Sequence, residues 1–313
     1  MTITAGIDIG GTNLRAAAVL VDGTIVAETS LRAPAGWVAL REAMVTLIQD
    51  LRVEVPELAA VGVGAAGMVD RYGVVQYSPN VHAFDASPVR SDLEERIMLP
   101  VAVDNDANVA ALAEARLGAA RGCTHALVIT LGTGIGGGII VDGEVMRGAH
   151  GFAAEVGHFQ IDPNGPICAC GERGHWEALA SGNALGLMGR EAAAAGRGEA
   201  LLALAGGVDD VRGDHVGAAA LDGDAQAVAI IDRYAEQVAI GLVGLANILD
   251  PERIVISGGL VALGDVLLVP VRSHFMGRVE GASARENLTI VAAELGTQAG
   301  VVGAALLARD LIF

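Results

Sequence analysis

The 313 residues include no lysine; all 20 basic side chains are arginine. A lysine-dependent phosphate loop and Schiff-base chemistry are thereby excluded. Aromatic residues are scarce at 3%, so the core has to be packed from Ala, Val, Leu and Ile, and a hydrophobic content of 52% supplies enough of them. With only 18% charged residues, this is not the composition of a disordered chain. Positive charge is short overall. A net charge of -17 and a pI near 4.7 argue against nucleic-acid and anionic-membrane partners, both of which need a basic face.

Long uncharged runs are few. The longest, Gly122 to Val141, is long enough on paper to span a bilayer. It holds His125, the Thr133-Gly134 step and Gly136-Gly137-Gly138, and so reads as two buried strands around a turn. No basic segment precedes the first apolar residues, and Asp8 interrupts them, so no signal peptide is read. Cysteine is also sparse. Of three, two stand as Cys168-x-Cys170, which fits metal ligation in a reducing compartment better than a disulfide framework. The expectation is a soluble, cytoplasmic protein, and the length suggests two domains at roughly 150 residues each.

The first 25 residues read as strand (Ile3 to Ile9), Gly10-Gly11-Thr12-Asn13, strand (Leu14 to Val21) and the hairpin turn Asp22-Gly23. The same order recurs as Ala126 to Leu131, Gly132-Thr133-Gly134, Gly138 to Val141 and Asp142-Gly143. This repeat implies two lobes of related design facing each other. Between the repeats the pattern predicts helices near 39–52 and 107–117 and strands at 59–64 and 101–103. A Gly/His/Cys-rich insertion over 148–177 comes next. Ala-rich helices follow, interrupted by a Gly- and Asp-rich loop at 206–214. A strand at 253–257 runs into Gly258-Gly259, and a closing helix covers 299–310. Strands alternating with helices indicate an α/β architecture.

Three groups of residues carry chemistry. In the first, Gly10 and Gly11 let backbone N–H groups approach an anion, Thr12 offers a hydroxyl, and Asp8 can hold Mg²⁺ through water. An ordinary glycine hairpin has the same local sequence, but the second turn, with Thr133 and Gly134, suggests a grip on a polyphosphate from both lobes. Gly258 and Gly259 follow a buried strand and have room for the adenosine end of a nucleotide; a plain strand-to-helix turn fits them as well. In the second, Asp104-Asn105-Asp106-Ala107-Asn108 lies between a strand and a helix. Asp106 stands where an N-cap is expected, and also where a carboxylate can accept the proton of an attacking sugar hydroxyl. Spacing does not separate the two roles. In the third, Glu155-x-x-His158, Cys168-x-Cys170 and His175-Trp176-Glu177 offer a Cys2His2 set. That set leaves no position for a catalytic water, so a zinc ion there would be structural. Cys123 and the remaining histidines, His82, His125, His150, His215 and His274, read as ordinary core or surface residues.

Together, Asp8-x-Gly-Gly-Thr-Asn13, Gly64-Ala-Ala-Gly67 with Val69-Asp70, Ser78-Pro-Asn80, Asn105-Asp-Ala-Asn108, Leu131-Gly-Thr-Gly134, Gly148-Ala-His-Gly151, Glu155-Val-Gly-His158 and Cys168-x-Cys-Gly resemble the ROK (repressor, ORF, kinase) family. Within it, they resemble the bacterial glucokinases of actinobacterial type. The resemblance runs along essentially the whole chain. It implies a two-lobed, actin-like (ribonuclease H-like) sugar kinase fold with a zinc-binding loop. The small lobe would be 1–109 completed by 299–313, and the large lobe 110–298 with the zinc loop 148–177. ATP and sugar would meet between them.

The implied reaction is ATP- and Mg²⁺-dependent phosphorylation of glucose at its 6-hydroxyl. Asp106 would be the base. Asn105, Glu155, His158 and Glu177 would hold the sugar, with Gly67 and Asn80 contributing. His158, Cys168, Cys170 and His175 would bind structural Zn²⁺, His158 facing the sugar with its second nitrogen. Two departures stand out: His175 replaces a customary third cysteine, and Val81-His82-Ala83-Phe84 replaces a segment that often carries a Trp near the sugar. N-acetylmannosamine, N-acetylglucosamine, mannose and fructose are the alternative acceptors, and a homodimer or homotetramer is implied. A non-sugar actin-like ATPase would leave the zinc loop without a purpose. A repressor would need a DNA-binding segment before the first strand.

Overall fold

The computed structural model describes residues 2–78, 86–285 and 287–312; Asn80 and the 81–84 segment lie outside the described residues. The chain divides into two compact units. The first comprises Met1–Thr124, Gly138–Ala154 and Glu294–Phe313, and the second His125–Gly137 and Glu155–Ala293.

The first unit is built on β1 (Ile3–Ile9), β2 (Asn13–Val19), β3 (Ile25–Arg32), β4 (Leu58–Ala65) and β7 (Val101–Asn105), in the order β3-β2-β1-β4-β7. The short β5 (Met68–Val69) and β6 (Val75–Tyr77) form a separate antiparallel pair. β1, β2 and β3 are antiparallel neighbours, whereas β4 and β7 run parallel to β1. At the Asp22-Gly23 hairpin, Gly23 takes a φ of 85° that favours glycine, and the Leu20 N–H donates to the Thr24 carbonyl. Helix α1 (Trp37–Glu54) buries Leu40, Met44, Leu47, Ile48 and Leu51, a stripe at helical spacing, and joins the β-sheet core. Its Trp37 indole donates to Asp92 of α2 (Val89–Ile97) at 3.1 Å.

α10 (Ala299–Arg309) closes the unit. It lies with its backbone directly on the sheet. A Cβ added to Gly6 of β1 would strike the Val301 carbonyl, and one on Gly62 of β4 the Ala304 carbonyl. On its other side, Gly303 meets the Val109 carbonyl of α3 (Asp106–Leu117) in the same way. Because α3 packs with α10, the first unit continues to Thr124 instead of ending at 109.

A second five-stranded sheet comprises β8 (Ala126–Leu131), β9 (Ile135–Val141), β10 (Glu144–Val145), β11 (Arg253–Ser257) and β12 (Thr289–Ala292), in the order β10-β9-β8-β11-β12. Two hairpins followed by two parallel strands give the same order as the first sheet, so the internal repeat in the sequence is a repeat of topology. The chain passes from one unit to the other along β9. β9 begins at Ile135, earlier than the 138 read from the sequence. Gly136 to Gly138 are strand residues, and a Cβ on Gly137 would press into Val156.

The helices of the second unit are α4 (Trp176–Ala180), α5 (Gly182–Ala194), α6 (Glu199–Ala205), α7 (Gly213–Leu221), α8 (Ala225–Leu249) and α9 (Asp265–Met276). Buried Trp176 fits into the gap left by Gly241 of α8, and its indole donates to the Gln237 carbonyl at 3.0 Å. Among the described residues, no helix is long and apolar enough to cross a membrane.

The α10 contact sets a stability prediction. Gly62→Ala forces a methyl group into a backbone carbonyl and is expected to lower unfolding free energy by about 1–3 kcal/mol or more. Gly11→Ala, where a Cβ meets open space, is expected to stay within about 0.5 kcal/mol of the parent. Urea unfolding of the three proteins measures both.

Candidate active site

In the first unit, β1 and β2 place Asp8 directly opposite Arg15 and end in the exposed turn Gly10–Asn13, closed by the Gly10 N–H donating to the Asn13 carbonyl at 3.0 Å. Burial raises the Asp8 carboxyl above its usual range, and the Arg15 charge opposes the rise. Gly300, which has no side chain, allows the first turn of α10 to lie against that carboxyl. Arg15 donates to the Thr297 carbonyl at 2.8 Å, just before α10.

The end of β7 leads directly into α3. Asn105, not Asp106, is the N-cap: its Oδ1 accepts from the N–H groups of Ala107 (2.8 Å) and Asn108 (3.2 Å). The cap requires extended backbone, which the last strand residue already has, so the cap falls one residue earlier than expected. The Asn105 Nδ2 donates to the Gly67 carbonyl at 3.1 Å. Gly67 sits at a φ of 131° with no room for a Cβ.

Asp104 braces this corner from beneath. Its Oδ1 accepts from Asn105 N–H (2.8 Å) and Asn108 Nδ2 (2.9 Å), and its Oδ2 takes Arg147 Nε at 2.7 Å. Asp106 is then the first helical residue. Its Oδ1 accepts from the Ala107 N–H at 2.9 Å, and it stands where the helix dipole favours a carboxylate.

In the second unit the turn Gly132–Gly134 joins β8 to β9. Glu177 Oε2 accepts from the Ile135 N–H at 2.9 Å, and Gly134 lies against the same carboxylate with no space for a Cβ. The turn opens onto a cavity of about 490 Å³. Gly182 and Asn183 of α5, Gly213 and Gly217 of α7, and Gly259, Leu260 and Leu263 line it. Its size and apolar, glycine-rich walls suit a flat heterocycle. Gly259 faces the cavity, whereas Gly258, at a φ of 88°, backs onto Leu131.

Glu155 and His158 bound a short 3-10 turn beside β9, where Gly157 packs against the Ile135 carbonyl. Desolvation raises the Glu155 carboxyl; His158 opposes the rise and Glu177 adds to it. The ligating atoms of His158, Cys168, Cys170 and His175 lie within 4.8 Å of one another. Cys168 Sγ is 3.9 Å from His158 Nδ1, and Cys170 Sγ is 3.2 Å from His175 Nδ1. Ligand separations in a tetrahedral thiolate–imidazole zinc site are roughly 3.3–3.8 Å. The donor set and its spacing are therefore compatible with zinc. Tight loops make the cluster: Gly174 lies on the Asp162 carbonyl, and the Cys168 N–H donates to the Glu172 carbonyl at 2.7 Å. Cys168 Sγ also lies 3.6 Å from Glu177 Oε1.

The ROK family model matches residues 4–311. The chain is 40% identical over 314 aligned residues to a glucokinase of Streptomyces coelicolor, covering 99% of this chain and 98% of that protein. It is 34% identical to an N-acetylmannosamine kinase of Escherichia fergusonii, covering 98% of both. A crystal structure of a ROK family glucokinase from Streptomyces griseus in complex with glucose and AMPPNP superposes with a TM-score of 0.89 at 39% identity, covering 98% of this chain and 99% of that one. This chain belongs to the ROK family.

Within this ROK chain, the residues singled out from the sequence fall into three groups. Gly67, Asn105 and Asp106 share one corner. Asp8 and Gly10 to Asn13 share one turn of the same unit. Thr133, Gly134, Glu155, Glu177, Gly259 and the four Cys/His residues lie in the other unit. Motif reading missed Arg15, Arg147 and the α5 and α7 walls of the cavity. Arg147 lies 43 positions from its partner Asp104, and no local pattern links them. Of the two α7 glycines only Gly213 falls in the loop read at 206–214, although Gly213-x-x-x-Gly217 is the helical spacing that reveals one bare face.

Burial pushes the Cys168 thiol up to about 11, so an ion has to displace its proton on binding. Zinc affinity is therefore expected to rise with pH between about 6 and 8. Cys168→Ser is expected to lower it by more than the roughly 10–100-fold typical of outer-shell changes. Competition with a chromophoric chelator measures both, and a flat pH profile contradicts thiolate ligation.

Proposed function

We propose that this chain transfers the γ-phosphoryl group of ATP to the 6-hydroxyl of glucose, giving glucose 6-phosphate and ADP. The observation that carries the reading is the β7–α3 corner. There Asp104 and Asn105 are tied into the fold, and Asp106 stands at the helix N-terminus with a carboxylate able to accept a proton.

Phosphoryl transfer asks the protein mainly for positioning and charge stabilisation. The nucleoside enters the cavity lined by Gly259, Leu260 and Leu263, which favours a nucleotide over inorganic polyphosphate as donor. Backbone N–H groups at Gly10–Asn13 and Gly132–Gly134 hold the phosphates, with the hydroxyls of Thr12 and Thr133. Asp8 holds Mg²⁺, which when bound offsets phosphate charge. Asn105, Glu155, His158 and Glu177 orient the sugar, with Gly67 and Asn80 contributing. Asp106 removes the 6-hydroxyl proton as that oxygen attacks phosphorus. The imidazole of His158, with Nδ1 toward Cys168, keeps Nε2 for a sugar hydroxyl. His158, Cys168, Cys170 and His175 hold Zn²⁺, which when bound fixes the loop that carries this sugar-binding wall.

A thiolate-rich metal site belongs in a reducing compartment, and the protein is assigned to the cytoplasm as a homodimer or homotetramer. The similarity to N-acetylmannosamine kinases makes that sugar the second candidate acceptor.

A coupled assay with ATP and a panel of hexoses and N-acetylhexosamines tests the reading. Glucose is expected to give the highest kcat/KM, and ATP turnover without sugar is expected to be negligible. Sugar-independent turnover would instead support an actin-like ATPase. Asp106→Asn is expected to lower kcat by about 10²–10⁴ with little change in sugar affinity. A variant with near-parental kcat would remove Asp106 from the role of base.

A further inference from the structure

Helix α4 has five residues, and each end holds something different. Its N-cap is His175, a member of the Cys/His cluster. At its other end the Ser181 N–H donates to the Glu177 carbonyl at 3.1 Å, and the Gly182 N–H donates to the Gly132 carbonyl at 2.7 Å. The Glu177 side chain makes the same connection more directly. Its Oε1 is 3.6 Å from Cys168 Sγ, and its Oε2 takes the Ile135 N–H at 2.9 Å. Gly134 fits against that carboxylate, and Gly157, next to His158, fits against the Ile135 carbonyl. The Gly132–Ile135 backbone is thus held by Glu177, by Gly157 and by Gly182. Two of these neighbour a cluster residue in sequence or space, and the third is reached from one through α4.

We propose that Glu177 is a positioning residue that makes metal occupancy of the Cys/His cluster and nucleotide binding at the Gly132–Gly134 turn mutually dependent. The inference rests on the reading of that turn as a phosphate-binding turn. The physical reason is a difference in order. A divalent ion with two thiolates is a neutral assembly, so the Glu177 carboxylate sits beside it without net repulsion. That ion pulls His158, Cys168 and His175 into one geometry, and with them the start of α4 and the flank of Gly157. Without the ion, two thiols and two imidazoles have little mutual attraction. Cys168 is then a thiol that donates to Glu177 Oε1, and the start of α4 and the Gly157 flank, no longer drawn together by one ion, leave the turn less rigid on both sides. A nucleotide that binds the turn has to restore that order at the expense of its own affinity. By linkage, each ligand must then tighten the other by the same factor.

The test measures zinc affinity by competition with a chromophoric chelator, with and without saturating ADP and with no sugar present. In the parent protein, ADP is expected to tighten zinc binding within the usual range of such couplings, about 5–150-fold. Glu177→Leu keeps the volume but removes both polar anchors, and is expected to bind each ligand with the mutual effect reduced to less than about 2-fold. Glu177→Gln, whose amide oxygen still accepts from the Ile135 N–H, is expected to restore most of it.

ADP binding with no change in zinc affinity in the parent overturns the proposal, as does full coupling in Glu177→Leu. Failure of ADP to bind at all would instead overturn the reading of the phosphate turn. If Glu177→Leu fails to fold, hydrogen exchange at the Ile135 amide of the parent decides the matter. Zinc is expected to slow that exchange without nucleotide, and an unchanged rate counts against the proposal.

Discussion

Any anion this chain holds has to be held without an ammonium group and against a net charge of -17. That constraint leaves backbone N–H groups, hydroxyls, arginine and bound cations as sources of positive potential. Backbone donors reach a ligand only where side chains are out of the way, which is why the candidate turns are built from glycine with threonine beside it. Arg15 is a guanidinium next to the Gly10–Asn13 turn, and it is fixed by Thr297 and balanced by Asp8.

Close backbone approach also organises the core. In the first unit α10 rests on β1 and β4 through Gly6 and Gly62, and on α3 through Gly303. Parallel pairing of β1 with β4 and of β4 with β7 brings the ends of these three strands into one short row. Asp8, Gly67 and Asp106 stand at or just beyond the carboxyl ends of these three parallel strands, where ligands gather in α/β sheets. Asp104, buried and satisfied by Asn105, Asn108 and Arg147, holds this corner, and Asp106, partly buried, is the first residue of the helix that follows.

The second sheet repeats the strand order, and a different insertion follows its hairpins. The segment from Glu155 to Glu177 folds through glycine-dependent turns into a compact cluster of two thiols and two imidazoles. Glu177 then connects that cluster to the turn between β8 and β9. A loop that reads as a self-contained metal staple is thus continuous with the wall of the nucleotide-sized cavity through α4 and α5.

The sequence by itself determined the class of the fold, the two related strand–turn–strand segments, the four Cys/His residues and the Asn105–Asp106 corner. These are local patterns, and periodicity and spacing report local structure directly. The start of α7 falls inside the loop read at 206–214 because glycine is a weak helix former, whereas in the fold Gly217 packs against Leu263 and α7 against α5. The cap moved from Asp106 to Asn105 because the strand register, set by pairing with β4, decides where extended backbone stops. The Asp104–Arg147 pair, the α10 contacts and the link from Glu177 to Ile135 join residues tens to hundreds of positions apart. Such contacts exist only after the chain has closed on itself, so tertiary structure alone decided them.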